Sequence, residues 1–183
     1  MATTSWREVG RADGCQTGRV RDWVVGSAVI LGDEGVLLVC NRRRNGRHDW
    51  SPPGGVIEVH EGEALLDGLA REVEEETGLR VTRWAGPIYE VEAEAPDLGW
   101  RLRAEIHLAV AYEGELQIDD PDGIVVDATW VAACDCPSRL AGCQPWVREP
   151  LTDWLDQRWV DSRPYGYRVD GADPATLVVT RVG

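Results

Sequence analysis

The 183-residue chain contains no phenylalanine and no lysine, and its single methionine is the first residue. Every one of its 19 basic side chains is therefore arginine, set against 32 acidic ones for a net charge of −13. With a pI near 4.6, a broad surface for a nucleic acid polymer is not expected. An anionic small molecule would have to be met by local arginines or a bound cation. No apolar run has the length of a signal peptide or a bilayer span, so no membrane partner and a cytoplasmic location are expected. The five cysteines, at positions 15, 40, 134, 136 and 143, lack Cys-x-x-Cys spacing and a nearby histidine. That excludes a zinc ribbon, and an odd count fits a reducing compartment better than a disulfide framework.

What remains is a normal globular composition, 43% hydrophobic and 28% charged, in a chain of single-domain length. Residues 1–22 read as a polar arm or edge segment and 23–183 as one domain. Residues 23–31 (WVVGSAVIL) form a β-branched run typical of a buried strand. Gly32-Asp33-Glu34-Gly35 is a hairpin turn, and residues 36–40 return. Strand patterns recur around 88–91, 100–112 and 124–132, with a break at residues 96–99. From Pro145 to Trp159, Val147, Leu151, Trp154 and Leu155 recur at helical spacing, with Pro150 expected near the first turn. Residues 165–169 and 176–182 read as a terminal hairpin. The pattern is α+β or α/β, and the tryptophans are expected in the core.

Residues 53–79 (PGGVIEVHEGEALLDGLAREVEEETGL) concentrate the chemistry. Leu65, Leu66, Leu69 and Val73 give one apolar side of a helix that Gly78 stops. The other side carries Glu72, Glu75 and Glu76 at i, i+3, i+4. Like charges at this spacing repel, by roughly 0.2–0.5 kcal/mol per pair. They also sit at the negative end of the helix dipole, where cations are favoured. Such a cluster calls for a compensating cation, and hard oxygen ligands point to Mg2+ or Mn2+. Just upstream, in a basic loop with an Asn45-Gly46 turn, Arg42, Arg43, Arg44 and Arg47 form the only dense basic cluster, a candidate phosphate-binding surface.

From Glu63 onward, seven residues lead to Arg71-Glu72-Val73-Glu74-Glu75-Glu76-Thr77-Gly78-Leu79. This resembles the second half of the Nudix box at every specified position. The first half differs: seven residues separate Gly55 from Glu63 where the box has five, an apparent two-residue insertion around Val59–Glu61. The resemblance implies a Nudix-type α/β/α sandwich with a mixed sheet and two principal helices. It also implies Mg2+- or Mn2+-dependent hydrolysis of a diphosphate linkage, in a nucleoside diphosphate derivative or nucleoside triphosphate. Glu72, Glu75, Glu76 and the Gly55 carbonyl correspond to the metal ligands, and Glu63 and Arg71 to the brace of the helix. Glu75 is the first candidate for the catalytic base, with Asp119, Asp120, Asp122 and Asp127 as alternatives from a distant loop; His60 lies in the insertion. The rival reading is a nucleotide-sensing module of the same fold that turns nothing over. A homodimer is compatible with either.

Overall fold

The structure, a computed structural model, describes residues 20–43, 46–173 and 176–183. The expected arm therefore lies outside it apart from its last residues. The first strand, β1 (Arg21–Gly32), runs through the turn at Gly32 and Gly35 into β2 (Gly35–Arg42), with Leu31 opposite Val36. The basic stretch after β2 is not all loop. Residues His48–Ser51 form β3, antiparallel to β2, and Gly54–Val56 form β4. Then come helix α1 (Leu65–Thr77) and the long strands β5 (Arg80–Ala95) and β6 (Trp100–Glu113), joined by a turn at Pro96–Leu98. Strand β7 (Val125–Val131), a short helix α2 (Cys136–Arg139), helix α3 (Pro145–Gln157) and the hairpin β8 (Arg163–Asp170) and β9 (Val178–Arg181) complete the chain.

The nine strands form one mixed sheet in the order β3-β2-β1-β6-β5-β8-β9, with β4 added to β1 and β7 to β2. Strand β1 is parallel to β6 and β5 is parallel to β8; the remaining pairs are antiparallel. One edge of β1 is shared between two partners. Residues 25–27 pair with β4, while Leu31 and Gly32 pair with β2. The sheet is thus split along that edge, and residues 51–53 step from one leaf to the other, held by the Ala28 N–H donating to the Pro53 carbonyl at 2.9 Å. This crossing lies next to the carboxylate cluster described below.

Alternation along β1 divides the core. Val25 and Val29 face one side with Leu102, Ala104, Ile106 and the α3 residues Trp146, Leu151, Trp154 and Leu155. Ala28 and Ile30 face the other with Leu69 and Val73 of α1. One long helix on each face is the expected α/β/α arrangement. Trp100, Trp146 and Trp154 are core residues, each under 10% exposed. Pro150 departs from expectation. The helix starts at Pro145, so Pro150 stands inside it, in its second turn. Its missing N–H leaves the Trp146 carbonyl without the helical bond, a cost offset by complete burial of its neighbour Leu151. No helix among the described residues is long and apolar enough to cross a membrane.

A carboxylate cluster between α1 and the glycine strand

Helix α1 corrects the amphipathic reading of its own sequence. Its buried residues are Gly68, Leu69, Glu72, Val73, Glu76 and Thr77, whereas Leu66 is 37% exposed. Glu72 and Glu76 therefore sit within the buried stripe, each only 9% exposed, and Glu75 stands at its half-exposed edge. The helix ends as expected at Gly78, whose φ of 72° lets its N–H cap the Glu74 carbonyl.

The two buried carboxylates face β4. Gly54 has a φ of 138° and donates its N–H to Oε2 of Glu76 at 2.8 Å. Gly55 lies so close to Glu72 that a Cβ there would fall 2.9 Å from Cδ of the carboxylate and closer still to Oε2. A side chain there would have to displace that carboxylate. Burial raises the pKa of Glu76 well above the usual carboxylate range; the Gly54 bond opposes this, and Glu72, Asp120 and Glu75 add to it. Glu72 is also raised, first by burial, against the pull of Arg71.

Arg71 is the one cation in contact with the cluster among the described residues. Its Nη1 lies 2.7 Å from Oε1 of Glu72 and 3.2 Å from Oε2 of Glu75, while Nε reaches Oε1 of Glu63 at 3.2 Å. Burial works against the guanidinium charge, but the bonds to Glu63 and Glu72 outweigh it and push its pKa further up. Glu63 in turn accepts the Glu58 N–H at 3.2 Å. This closes the loop whose extra residues form a 3-10 turn at Val59–Glu61. Glu63 and Arg71 thus meet, and with them the lengthened loop is fastened to the helix.

Of the basic cluster, Arg42 donates to the Gly123 carbonyl at 2.9 Å and Arg43 pairs with Asp49 at 2.6 Å. Arg47 is exposed, and Arg44 lies outside the described residues. Arg42 therefore ties the end of β2 to the acidic loop. Within that loop Asp120 accepts the N–H groups of Asp122, Ile124 and Val125 at 3.0, 2.5 and 2.6 Å. Asp120 is near enough to Glu76 to raise its pKa, but its oxygens are committed to organising the turn. Asp127 caps the adjacent Ala128 N–H. The Gly54 bond to Glu76 has no signature in the sequence beyond the glycine pair itself, because it depends on how far β4 stands from the helix.

Among the described residues no three acidic, histidine or cysteine side chains converge into a ready-made metal cage. The physical reason is visible in the contacts: Glu72 and Glu75 share one guanidinium nitrogen, and Glu76 turns to Gly54. The donor set nevertheless suits a hard divalent cation. Two desolvated carboxylates, a third at the edge and a backbone strand pressed against them offer oxygens only.

The family model for the NUDIX domain matches residues 21–155. A MutT-like protein of Streptomyces ambofaciens is 46% identical over 55 residues, which are 30% of this chain and 33% of that one. The match thus spans about a third of the length of this curated relative. A MutT protein of Bacillus halodurans has a similar structure, with a TM-score of 0.63 and 20% identity over 86% of this chain and 97% of its own. The MutT NUDIX hydrolase of Burkholderia pseudomallei gives a TM-score of 0.59 with 26% identity, covering 73% of this chain and 97% of its own.

Proposed function

The chain belongs to the Nudix family, and from that premise we propose that it is a pyrophosphohydrolase. Its substrate would carry a diphosphate linkage, in a nucleoside diphosphate derivative or a nucleoside triphosphate. The observation that supports this most directly is the burial of Glu72 and Glu76 against Gly54 and Gly55, with Arg71 the one cation in contact among the described residues. Buried carboxylates are costly unless paired, and a divalent ion that also meets a diphosphate would pair them.

Glu72, Glu75 and Glu76, with the Gly55 carbonyl, would hold Mg2+ or Mn2+. Such an ion neutralises diphosphate oxygens, polarises the phosphorus–oxygen bond and lowers the pKa of an attacking water. Glu75 is the residue for proton abstraction, because it alone of the three reaches solvent while anchored through Arg71. Arg71 and Glu63 keep the helix face in register, so that carboxylate positions are set before substrate arrives. The acidic loop, fixed by Asp120 and by Arg42, borders the cluster and adds to the negative potential at Glu76 that a divalent ion would offset.

The test is a panel of nucleotides incubated with Mg2+ or Mn2+, with products separated by mass, for the wild type and Glu75→Gln. Metal-dependent cleavage at a phosphoanhydride, lost in the variant, supports the assignment. Tight nucleotide binding without turnover of any panel member would favour the sensing module instead.

A further inference from the structure

The loop between β6 and β7 is fastened at both ends beside the carboxylate helix. At its start the Gln117 N–H donates to the Thr77 carbonyl at 2.8 Å, and Thr77 directly follows Glu76. The loop backbone also presses on the helix cap: a Cβ on Gly78 would meet the Glu115 and Gln117 carbonyls at 3.0 Å. At its end the loop is tied to β2. The Arg42 N–H donates to the Ile124 carbonyl and its guanidinium to the Gly123 carbonyl, both at 2.9 Å.

Asp120 organises what lies between. Its Oδ1 accepts the Asp122 N–H, its Oδ2 accepts those of Ile124 and Val125, and its carbonyl accepts the Gly123 N–H at 3.0 Å. A carboxylate has about four acceptor positions, so three of them are already taken. Swinging this group onto an ion would deprive the Val125 N–H of its acceptor, in a residue 4% exposed at the start of β7. Asp120 therefore stays with the loop. Its charge reaches the cluster all the same. It raises the pKa of Glu76 more than Glu75 does, although Glu75 is the preceding residue of the helix.

What such a charge does follows from its place. Glu72, Glu75, Glu76 and the negative end of the α1 dipole are already gathered there. One more fixed negative charge destabilises the empty cluster and favours the state that holds a divalent ion, which it attracts twice as strongly as a singly charged one. Because its own hydrogen bonds set its position, no reorganisation is needed when the ion arrives. Glu115 carries the same charge on the same loop but is exposed, where water and salt screen it.

We propose that Asp120 is a positioning residue for the divalent ion: it fastens the acidic loop beside Glu76 and strengthens ion binding through space, without becoming a ligand. The inference rests on the carboxylate cluster being the metal site. It is tested apart from catalysis by calorimetric titration of the full chain with Mn2+ alone, at about 50 mM and about 0.5 M salt. At low salt Asp120→Asn should bind Mn2+ about three- to tenfold more weakly than the wild type, and high salt should narrow that gap. An unchanged Kd in Asp120→Asn overturns the inference, and so does a gap that salt leaves intact, which would mean direct coordination. Glu115→Gln loses the same charge from the same loop and should stay within about twofold of the wild type; a loss equal to that of Asp120→Asn would show that any loop charge serves. Arg42→Ala loosens the loop at Gly123 while keeping the Asp120 charge, and should cost less than Asp120→Asn. A greater cost would assign the effect to loop integrity and defeat the proposal. No Mn2+ binding by the wild type would defeat the metal-site reading together with it. Mn2+ affinity that depends on Asp120 in a protein that hydrolyses no nucleotide would sustain the inference and sink only the hydrolase reading.

Discussion

The backbone N–H of Gly54 donates to Oε2 of Glu76 across 2.8 Å, joining the glycine strand to the last turn of the carboxylate helix. It is the only hydrogen bond Glu76 makes among the described residues, and it does not balance the charge of a carboxylate at 9% exposure. Glu72, Asp120 and Glu75 all add negative potential there. The helix is thus held in place by a neutral donor where a positive charge is needed. That mismatch marks a binding site more clearly than it marks a structural bond.

Replacing the charge while keeping the bond separates these roles. In Glu76→Gln the amide oxygen can still accept from Gly54, so the fold should persist. Its melting temperature in EDTA should equal or exceed that of the wild type, since a desolvated carboxylate is gone. Metal-dependent turnover should fall roughly a hundredfold or more, the loss of a few kcal/mol of transition-state stabilisation. Undiminished kcat/KM in this variant would remove Glu76 from the site.

Gly55 makes a steric prediction. A methyl group there meets the carboxylate of Glu72, which Arg71 pins from the other side. Gly55→Ala should therefore cost about 1–3 kcal/mol of overpacking. At about 2–4 °C per kcal/mol for a domain of this size, the melting temperature should drop by several degrees. Gly142, with nothing within 4 Å of a Cβ, is the control, and Gly142→Ala should leave both stability and activity unchanged.

Removing Arg71 tests whether a guanidinium and a divalent ion serve the same electrostatic need. Arg71→Ala releases Glu63, Glu72 and Glu75 together. With the guanidinium a third exposed, solvent screening limits the expected destabilisation to about 1–2 kcal/mol. Added Mg2+ should then raise the melting temperature of the variant more than that of the wild type. Equal metal-induced shifts in the two proteins would mean that Arg71 and the ion act at separate places.

Much of this architecture can be read in the residues, but not all of it for the same reason. Strand and helix periods, the Gly78 cap and the meeting of Glu63 with Arg71 are local or nearly so, and each stands where expected. The sidedness of Glu72 and Glu76 is not local. A charged residue reads as solvent-facing until β4 is known to lie against it, so periodicity alone puts Leu66 on the buried side that Gly68 and the glutamates occupy. Strand β3 was hidden in a basic, Asn-Gly-containing stretch because its pairing with β2 is set by the split along β1. Arg42 offered itself as a phosphate ligand, and its bond to Gly123 joins positions 81 residues apart. Propensity puts Pro150 near a helix start, whereas the helix begins at Pro145 and buries Trp146 and Leu151.

The absence of lysine makes the alkaline range informative. Above pH 9 only tyrosines and cysteines titrate before arginine. Tyr165 is pushed up to about 12, first by burial and then by its bond to the Asp153 carboxylate. Tyr167 and Tyr89 are also raised, and Cys136 and Cys143 are pushed up to about 11, chiefly by burial. In the unfolded chain a tyrosine loses its proton near pH 10. Between about pH 10 and 12 the folded state therefore holds protons that the unfolded state has released. Stability is fully present below about pH 10 and falls as pH rises through the folded values. Thermal melts should be level from pH 7 to about 9 and decline beyond. Tyr165→Phe should lower stability at pH 8 by about 0.5–1.5 kcal/mol, the loss of one hydroxyl bond, and flatten the alkaline decline. A variant with the same slope as the wild type above pH 10 would show that Tyr165 keeps its proton no longer in the folded protein than in the unfolded one.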